Sequence, residues 1–300
     1  MLLAAVWGPS FLFIKVAVQE IPPITLVMVR TGFASLVLFL ILRIQGRKLP
    51  RLGRVWKHFA FMGLFANAFP FILFAWGELH VDSALASILN GTTPLFTIVL
   101  AYFLISDDRM TLVKLAGTFL GFAGLLILVG PSLVGGIRAE TLGLLAMVTA
   151  ASSYAVTIIY SRQHLRGLPS LVAPMAQLLM AAIYLTPLSL LIDHPFALAR
   201  PSWMALGALL ALTLLGTAAG FALYYHVIEK MNATNLSMVT YLLPVFGVTL
   251  GVLVLGEQPG WNAYFGCALI ILGVMAVNGV FRFRWRWLAR FQGSDLGAGG

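Results

Sequence analysis

Residues 83–105, SALASILNGTTPLFTIVLAYFLI, run for 23 positions without a charged side chain and end just before Asp107-Asp108-Arg109. A helix rises about 1.5 Å per residue and the hydrocarbon layer is about 30 Å thick, so about 20 mostly apolar residues cross it. A spanning barrel strand needs about half that length and alternates apolar with polar residues. This stretch does neither, and it carries Pro94 at its middle. The reading is a membrane helix with a proline at mid-depth.

Outward from there the pattern repeats. Cuts at charge clusters and Pro/Gly breaks give ten spans: 2–20, 24–43, 58–78, 83–105, 112–131, 141–161, 171–192, 203–228, 232–254 and 261–281. The 300 residues are 60% hydrophobic and 10% charged, where a soluble domain carries about 25% charge. The mean hydropathy is +0.96. Such a surface belongs in lipid. The expected fold is all-α, a polytopic membrane protein of ten transmembrane helices. Met1 is followed directly by Leu2-Leu3-Ala4-Ala5, without the basic region of a secretory signal, so the first span is expected to be retained. Cys267 is the single cysteine and permits no intramolecular disulfide.

The net charge of +9 invites a nucleic-acid reading, but the charges are distributed by topology. Fifteen of the 19 basic residues fall in connections on the side of the two termini, among them Arg43, Arg47, Lys57, Arg162 and Arg282. Arg138 and Arg200 lie opposite. This is the positive-inside asymmetry. It places both termini in the cytoplasm of a bacterial inner membrane and leaves no basic face for nucleic acid.

The two halves resemble each other. Trp7-Gly8, Lys15 and Pro22 match Tyr154-Ala155, Arg162 and Pro169 at an offset of 147; Ser87, Pro94 and Phe96 match Ser237, Pro244 and Phe246 at 150. Asp107 falls opposite Glu257. Each half holds five spans, an odd number, so the second copy is inverted. Inverted repeats are a transporter architecture with the substrate site near the midplane between them. The expected units are residues 1–131 and 139–281, followed by a basic and aromatic tail, 282–300, lying at the cytoplasmic headgroups.

Trp7-Gly8-Pro9-Ser10-Phe11 leading to Lys15, then Pro22-Pro23 and Arg30, and the closing Pro94 with Gly117, Gly121 and Gly124 make one motif. Pro244, Leu255-Gly256-Glu257, Gly266 and Gly273 make the close of a second. The chain resembles EamA-type permeases of the drug/metabolite transporter superfamily over roughly residues 1–281. The first copy departs from the family pattern with Ser106-Asp107-Asp108 in place of the usual glutamate, and Gln177 stands where the first copy has Arg30. The resemblance implies a ten-helix transporter, commonly an exporter of amino acids or other small metabolites.

Polar residues inside spans are costly and mark functional positions unless they serve packing. Asn90, Thr93 and Thr97 share one face of the fourth span; Ser237, Thr240 and Tyr241 occupy the matching part of the ninth. They either line a cavity or hydrogen-bond between helices. Asn67 lies at the centre of the third span on a stripe with Phe71, Phe74 and Glu78, and the eighth span offers Thr217, Phe221 and Tyr225. Trp7 and Ser10 are mirrored by Tyr154 and Thr157. Aromatics beside a few polar groups suit a partly apolar solute; core packing is the alternative. Pro94 and Pro244 are expected to kink their helices and to serve as hinges. Lys15 and Arg30 are the cations inside spans. They either attract a carboxylate or phosphate, or snorkel to the interface. Glu78 ends its span, where it could carry coupling.

The histidines are scattered, with no metal-ligand spacing and no phosphate-binding glycine loop, so neither an enzyme nor a cofactor or metal is expected. The function expected is secondary transport by alternating access, most simply export of amino acids, with small molecule and lipid bilayer as partners. A sugar-phosphate or nucleotide-sugar carrier, which needs Lys15 and Arg30 in the cavity, is the alternative; a receptor or scaffold is the reading from another class. Monomer and homodimer stay open.

Overall fold

A computed structural model describes residues 2–104, 111–134, 136–165, 167–168, 171–197, 199–230 and 233–280, with side chains left out over 226–240. Among these residues every regular element is helical. Seven helices are long and apolar enough to cross a membrane, and three apolar helical stretches are shorter. In chain order they are α1 (Leu2–Val18), α2 (Pro23–Ile44), α3 (Arg54–Gly77), α4 (Ser83–Leu104), α5 (Leu112–Val134), α6 (Ala139–His164), α7 (Val172–Asp193), α8 (Trp203–Tyr225), α9 (Ala233–Leu255) and α10 (Trp261–Val277). Large apolar side chains such as Phe33, Leu40, Phe119, Leu126 and Leu191 face outward, as lipid requires. The chain is an integral membrane protein.

Helices α5 and α10 cross closely because glycines face each other. A Cβ on Gly117 would lie 2.8 Å from the Gly273 carbonyl oxygen, and one on Gly124 would lie 2.7 Å from that of Gly266. Small residues permit such backbone approach where no solvent drives association. Further pairings join α2 with α7, α4 with α9, α3 with α6, and α1 with α8. Exchanging the two halves of the chain, α1–α5 for α6–α10, leaves this list of partners unchanged.

Irregular backbone inside the bilayer must find partners for its freed groups. In α4 the helix is interrupted at Gly91–Thr92, between Ser83–Asn90 and Thr93–Leu104. Pro94 cannot donate to the carbonyl of Asn90 four residues back; the Thr93 hydroxyl does so instead, at 2.8 Å, and Thr92 Oγ1 donates to Leu89 O at 2.6 Å. Pro94 thus sits in the first turn after a break, whereas Pro244 lies inside the continuous helix α9. The first span is likewise divided at Gly8–Pro9.

Two wide π-helical segments lie at corresponding places: Gly63–Ala68 in α3 and Leu212–Ala219 in α8. Within them Asn67 Nδ2 donates to Met62 O at 3.2 Å and Thr217 Oγ1 donates to Leu212 O at 3.0 Å. Each polar residue reaches the carbonyl five back, and 67 and 217 stand at the 150-residue offset. Wide turns free such carbonyls and often occur at functional sites.

The connections after α1, α3, α7 and α9 meet at one end of the bundle, where carboxylates close helix starts. Glu257 accepts from the backbone N–H of Ser83 and Ala84 at 2.8 and 2.9 Å. Asp193 accepts from Thr25 N at 2.7 Å and from its hydroxyl at 2.8 Å. Glu20 accepts from Ser202 N and its hydroxyl at 2.6 and 2.7 Å. Each carboxylate comes from the opposite half of the chain to the helix it closes. These are charge-assisted bonds at the positive end of a helix.

Glu257→Ala removes two acceptors from the first turn of α4. A cap of this kind contributes about 1 kcal/mol, so the variant should melt at a lower temperature in detergent than the native protein. The donors of Ser202 hold the Glu20 carboxyl below the usual carboxylate range. Its contribution is therefore present above that range and is lost as pH falls through the lowered value. Melting temperature should drop less on acidification in Glu20→Ala than in the native protein.

Candidate functional site

Arg30 projects from the first half of α2, two turns in from its start, and is 6% exposed. Its Nε donates to Thr217 Oγ1 of α8 at 2.7 Å, and its Cζ lies 3.9 Å from the ring centroid of Phe71 on α3. The wide turn of α8 explains the first contact: Leu212 O accepts the Thr217 proton, which leaves the hydroxyl lone pairs turned to Arg30. Phe71 supplies the face of a π-system, which attracts a cation most when water is excluded. Arg30 therefore does not snorkel; it is drawn inward to a junction of three helices. Among the described residues its two terminal nitrogens make no hydrogen bond to protein.

An aromatic wall continues from this point. Phe74, one turn beyond Phe71 and also buried, stacks on Tyr154 of α6 at 6.2 Å and meets Phe11 of α1 edge-on at 5.7 Å. Trp7 meets Phe221 at 6.4 Å and Tyr224 at 5.4 Å, and Tyr224 meets Tyr225 at 5.4 Å. Trp7 packs against α8 because residue 220 is glycine: a Cβ there would overlap the indole Nε1. Among the described residues Ser10 Oγ, Asn67 Oδ1 and Gln177 Oε1 are buried without a hydrogen-bond partner. Ser10 packs on Gly216 of α8, and Gln177 packs against the wide turn of α3 through Gly63. Aromatic surface with unsatisfied amide and hydroxyl groups is the composition of a small-molecule site.

The remaining candidate positions fall elsewhere. Lys15 Nζ donates to the backbone carbonyls of Glu78 and Val81 at 2.7 and 2.8 Å, closing the end of α3 as a cation does at a helix C-terminus. Glu78 is terminal in its span, as its sequence position indicated, yet it is fully buried, and neither carboxylate oxygen has a hydrogen-bond partner among the described residues. Asn90 is half-buried beside the α4 break, and Thr93 and Thr97 turn their hydroxyls to their own helix, to Asn90 O and Thr93 O. Those threonines mend backbone and do not bridge helices. Tyr241 packs, half-buried, against the cluster formed by Phe11 of α1 with residues of α3, α4, α5, α6 and α10. The side chain of Thr240 lies outside the described residues, as do Asp107 and the tail 282–300.

Among the described residues no three His, Cys, Asp or Glu side chains gather where they could hold a metal ion. The histidines are less scattered than in sequence: His58 and His164 bring their rings to 4.8 Å, and His58 Nδ1 lies 2.7 Å from Tyr160 Oη. Sequence reading missed Phe71 as the partner of Arg30, and it missed Glu20, Asp193 and Glu257 as helix closures. The three closures join residues more than 150 positions apart, Arg30 and Phe71 lie on different helices, and no spacing rule marks any of these pairings.

A bundle of apolar helices with broken and widened turns around buried polar groups defines an integral membrane transporter. The family model of the EamA-like transporter family matches residues 1–130 and again 141–279. The chain belongs to that family. It is 28% identical over 271 residues to the uncharacterized transporter YoaV of Bacillus subtilis, covering 90% of this chain and 91% of that protein. It is 26% identical to a probable terminal-alkyne amino-acid exporter of Streptantibioticus cattleyicolor, covering 91% and 89%. It is 28% identical to a probable amino-acid metabolite efflux pump of Salmonella typhimurium, covering 98% and 97%. A crystal structure with 21% identity superposes with a TM-score of 0.66 over 92% of this chain and 94% of that one, which shows the shared fold.

Gly220→Leu places a branched side chain in the volume held by the Trp7 indole. The variant is expected to keep its helical content by circular dichroism while its tryptophan emission shifts and solute flux through it falls.

Proposed function

We propose that the protein is a secondary exporter of amino acids, working by alternating access between two inverted five-helix repeats. The observation that carries this reading is the Arg30–Thr217–Phe71 junction. It joins α2 and α3 of the first matched stretch to α8 of the second, inside a wall of aromatic rings. A site built across two repeats changes shape when one rocks against the other. The exchange-invariant helix pairings and the paired wide turns support the two-repeat arrangement, and the relatives named as amino-acid exporters support the substrate class. In this reading the half-buried Asn90, Tyr154 and Tyr241 and the buried Ser10 and Asn67 line the path. Glu20, Asp193 and Glu257 hold its extracellular end shut, and both termini lie in the cytoplasm of a bacterial inner membrane.

The sugar-phosphate reading asks for two cations in the cavity. Lys15 is engaged by two backbone carbonyls at the bundle's end, which leaves Arg30 alone and favours a singly charged solute group over a phosphate.

The test is counterflow. Proteoliposomes preloaded with unlabelled L-phenylalanine, L-leucine or L-threonine should take up the labelled amino acid transiently and saturably, and empty liposomes should not. Saturable counterflow of glycerol 3-phosphate with none of an amino acid overturns the reading.

A further inference from the structure

Arg30 presents an unusual economy of contacts. A guanidinium has five N–H donors in a planar fork and no acceptor. Here one donor is used, Nε to Thr217, and one face is covered by Phe71. The side chain is more than nine-tenths buried, and among the described residues neither terminal nitrogen has a partner. The two terminal nitrogens are not fully enclosed, so they open onto space that a ligand can reach. No carboxylate closes the fork: among the described residues Arg30 makes no ion pair, although Glu78 lies near enough for its charge to act on it. The Nε bond and the ring together fix the plane of the guanidinium, so the two free nitrogens point in a defined direction. The position related to Arg30 by the repeat, Gln177, is buried as well, and its Oε1 also lacks a partner. A pair of structural residues would close on each other or on the backbone; these do neither.

The group that completes a free guanidinium edge is a planar anion that accepts two parallel N–H bonds. Around it stand Phe71, Phe74 and Tyr154, which suit an apolar neighbour to that anion. We infer that Arg30 is the substrate-carboxylate receptor of the transporter, taking the carboxylate of an apolar or aromatic carboxylic metabolite on its two terminal nitrogens while Thr217 holds the guanidinium in plane. This rests on the transport reading above and names the chemical group that the site selects.

The experiment uses the full-length protein in detergent and in proteoliposomes, with four probes of similar size. L-Phenylalanine and 3-phenylpropionate carry a carboxylate; L-phenylalaninamide and phenethylamine do not. The two carboxylates should raise the melting temperature and inhibit phenylalanine counterflow, and the amide and amine should be weaker by about tenfold or more, as expected for loss of a hydrogen bond to a charged group. Arg30→Gln should abolish the difference between the two pairs, and Arg30→Lys should retain it with a raised KM. Thr217→Val leaves the charge and loosens its plane, so it should raise KM for the carboxylates by several-fold; it should also melt at a lower temperature without ligand, because Leu212 O and Arg30 Nε each lose a buried partner. Equal stabilisation by all four probes in the native protein overturns the assignment, as does a folded Arg30→Gln with native selectivity. Stabilisation by neither carboxylate at millimolar concentration also overturns it, whatever solute is transported. Carboxylate-selective binding without any amino-acid counterflow upholds the receptor and removes the amino-acid exporter reading, so the two fail separately.

Discussion

Helix starts are the weak points of a membrane bundle. The first turn of every helix carries backbone N–H groups with no partner inside the helix, and at the membrane boundary water reaches them only in part. In this protein three such starts, those of α2, α4 and α8, are closed by Asp193, Glu257 and Glu20. Every one of these carboxylates is supplied by the other half of the chain. The same bonds that satisfy the helix ends therefore hold the halves together at that end of the bundle. A chain that closed its helices with local residues would have no such link.

Deeper in the bundle the same requirement is met by side chains of the interrupted helices themselves. Thr92 and Thr93 serve the carbonyls freed at the α4 break; Asn67 and Thr217 serve those freed by the wide turns. Pro70 follows the first wide turn and cannot donate to Ala66, which is one cause of the irregularity there. α8 has no proline at the corresponding place, and nothing else in its sequence explains the wide turn. Once a polar side chain has been buried to serve a backbone carbonyl, its remaining capacity can hold another group. Thr217 uses that capacity on Arg30. Asn67, its counterpart, leaves Oδ1 without a partner.

The membrane class and the helices were legible because lipid acts on every residue of a span: length, absence of charge and matched prolines and glycines suffice to find them. Gly117, Gly124, Gly266 and Gly273 were legible as matched positions of the two halves, but that they face one another across α5 and α10 was not. The course of individual side chains was not. Lys15 and Arg30 look equivalent in sequence, each a lone cation near a span end. One reaches the end of α3 and the other turns to the interior, because a carbonyl pair lies within reach of the first and a hydroxyl with an aromatic face within reach of the second. Pro94 and Pro244 also look equivalent. The helix breaks before one and continues through the other, because Gly91 and the hydroxyls of Thr92 and Thr93 accompany the first alone.

This divergence of matched positions bears on how the proposed carrier would work. Two strictly equivalent repeats would offer a solute the same site from either half, and nothing would orient it. With arginine at position 30 and glutamine at position 177, charge is present on one side of the junction only. An anionic group then has one place to go, and the apolar remainder must lie along Phe74 and Tyr154. The energetic asymmetry also differs with conformation. The Arg30–Thr217 bond crosses from the first matched stretch to the second, so rocking one against the other strains or breaks it, whereas a carboxylate held by the terminal nitrogens travels with α2. A solute that takes over part of the guanidinium's hydrogen bonding lessens the cost of losing Thr217, and so favours the movement that carries it across.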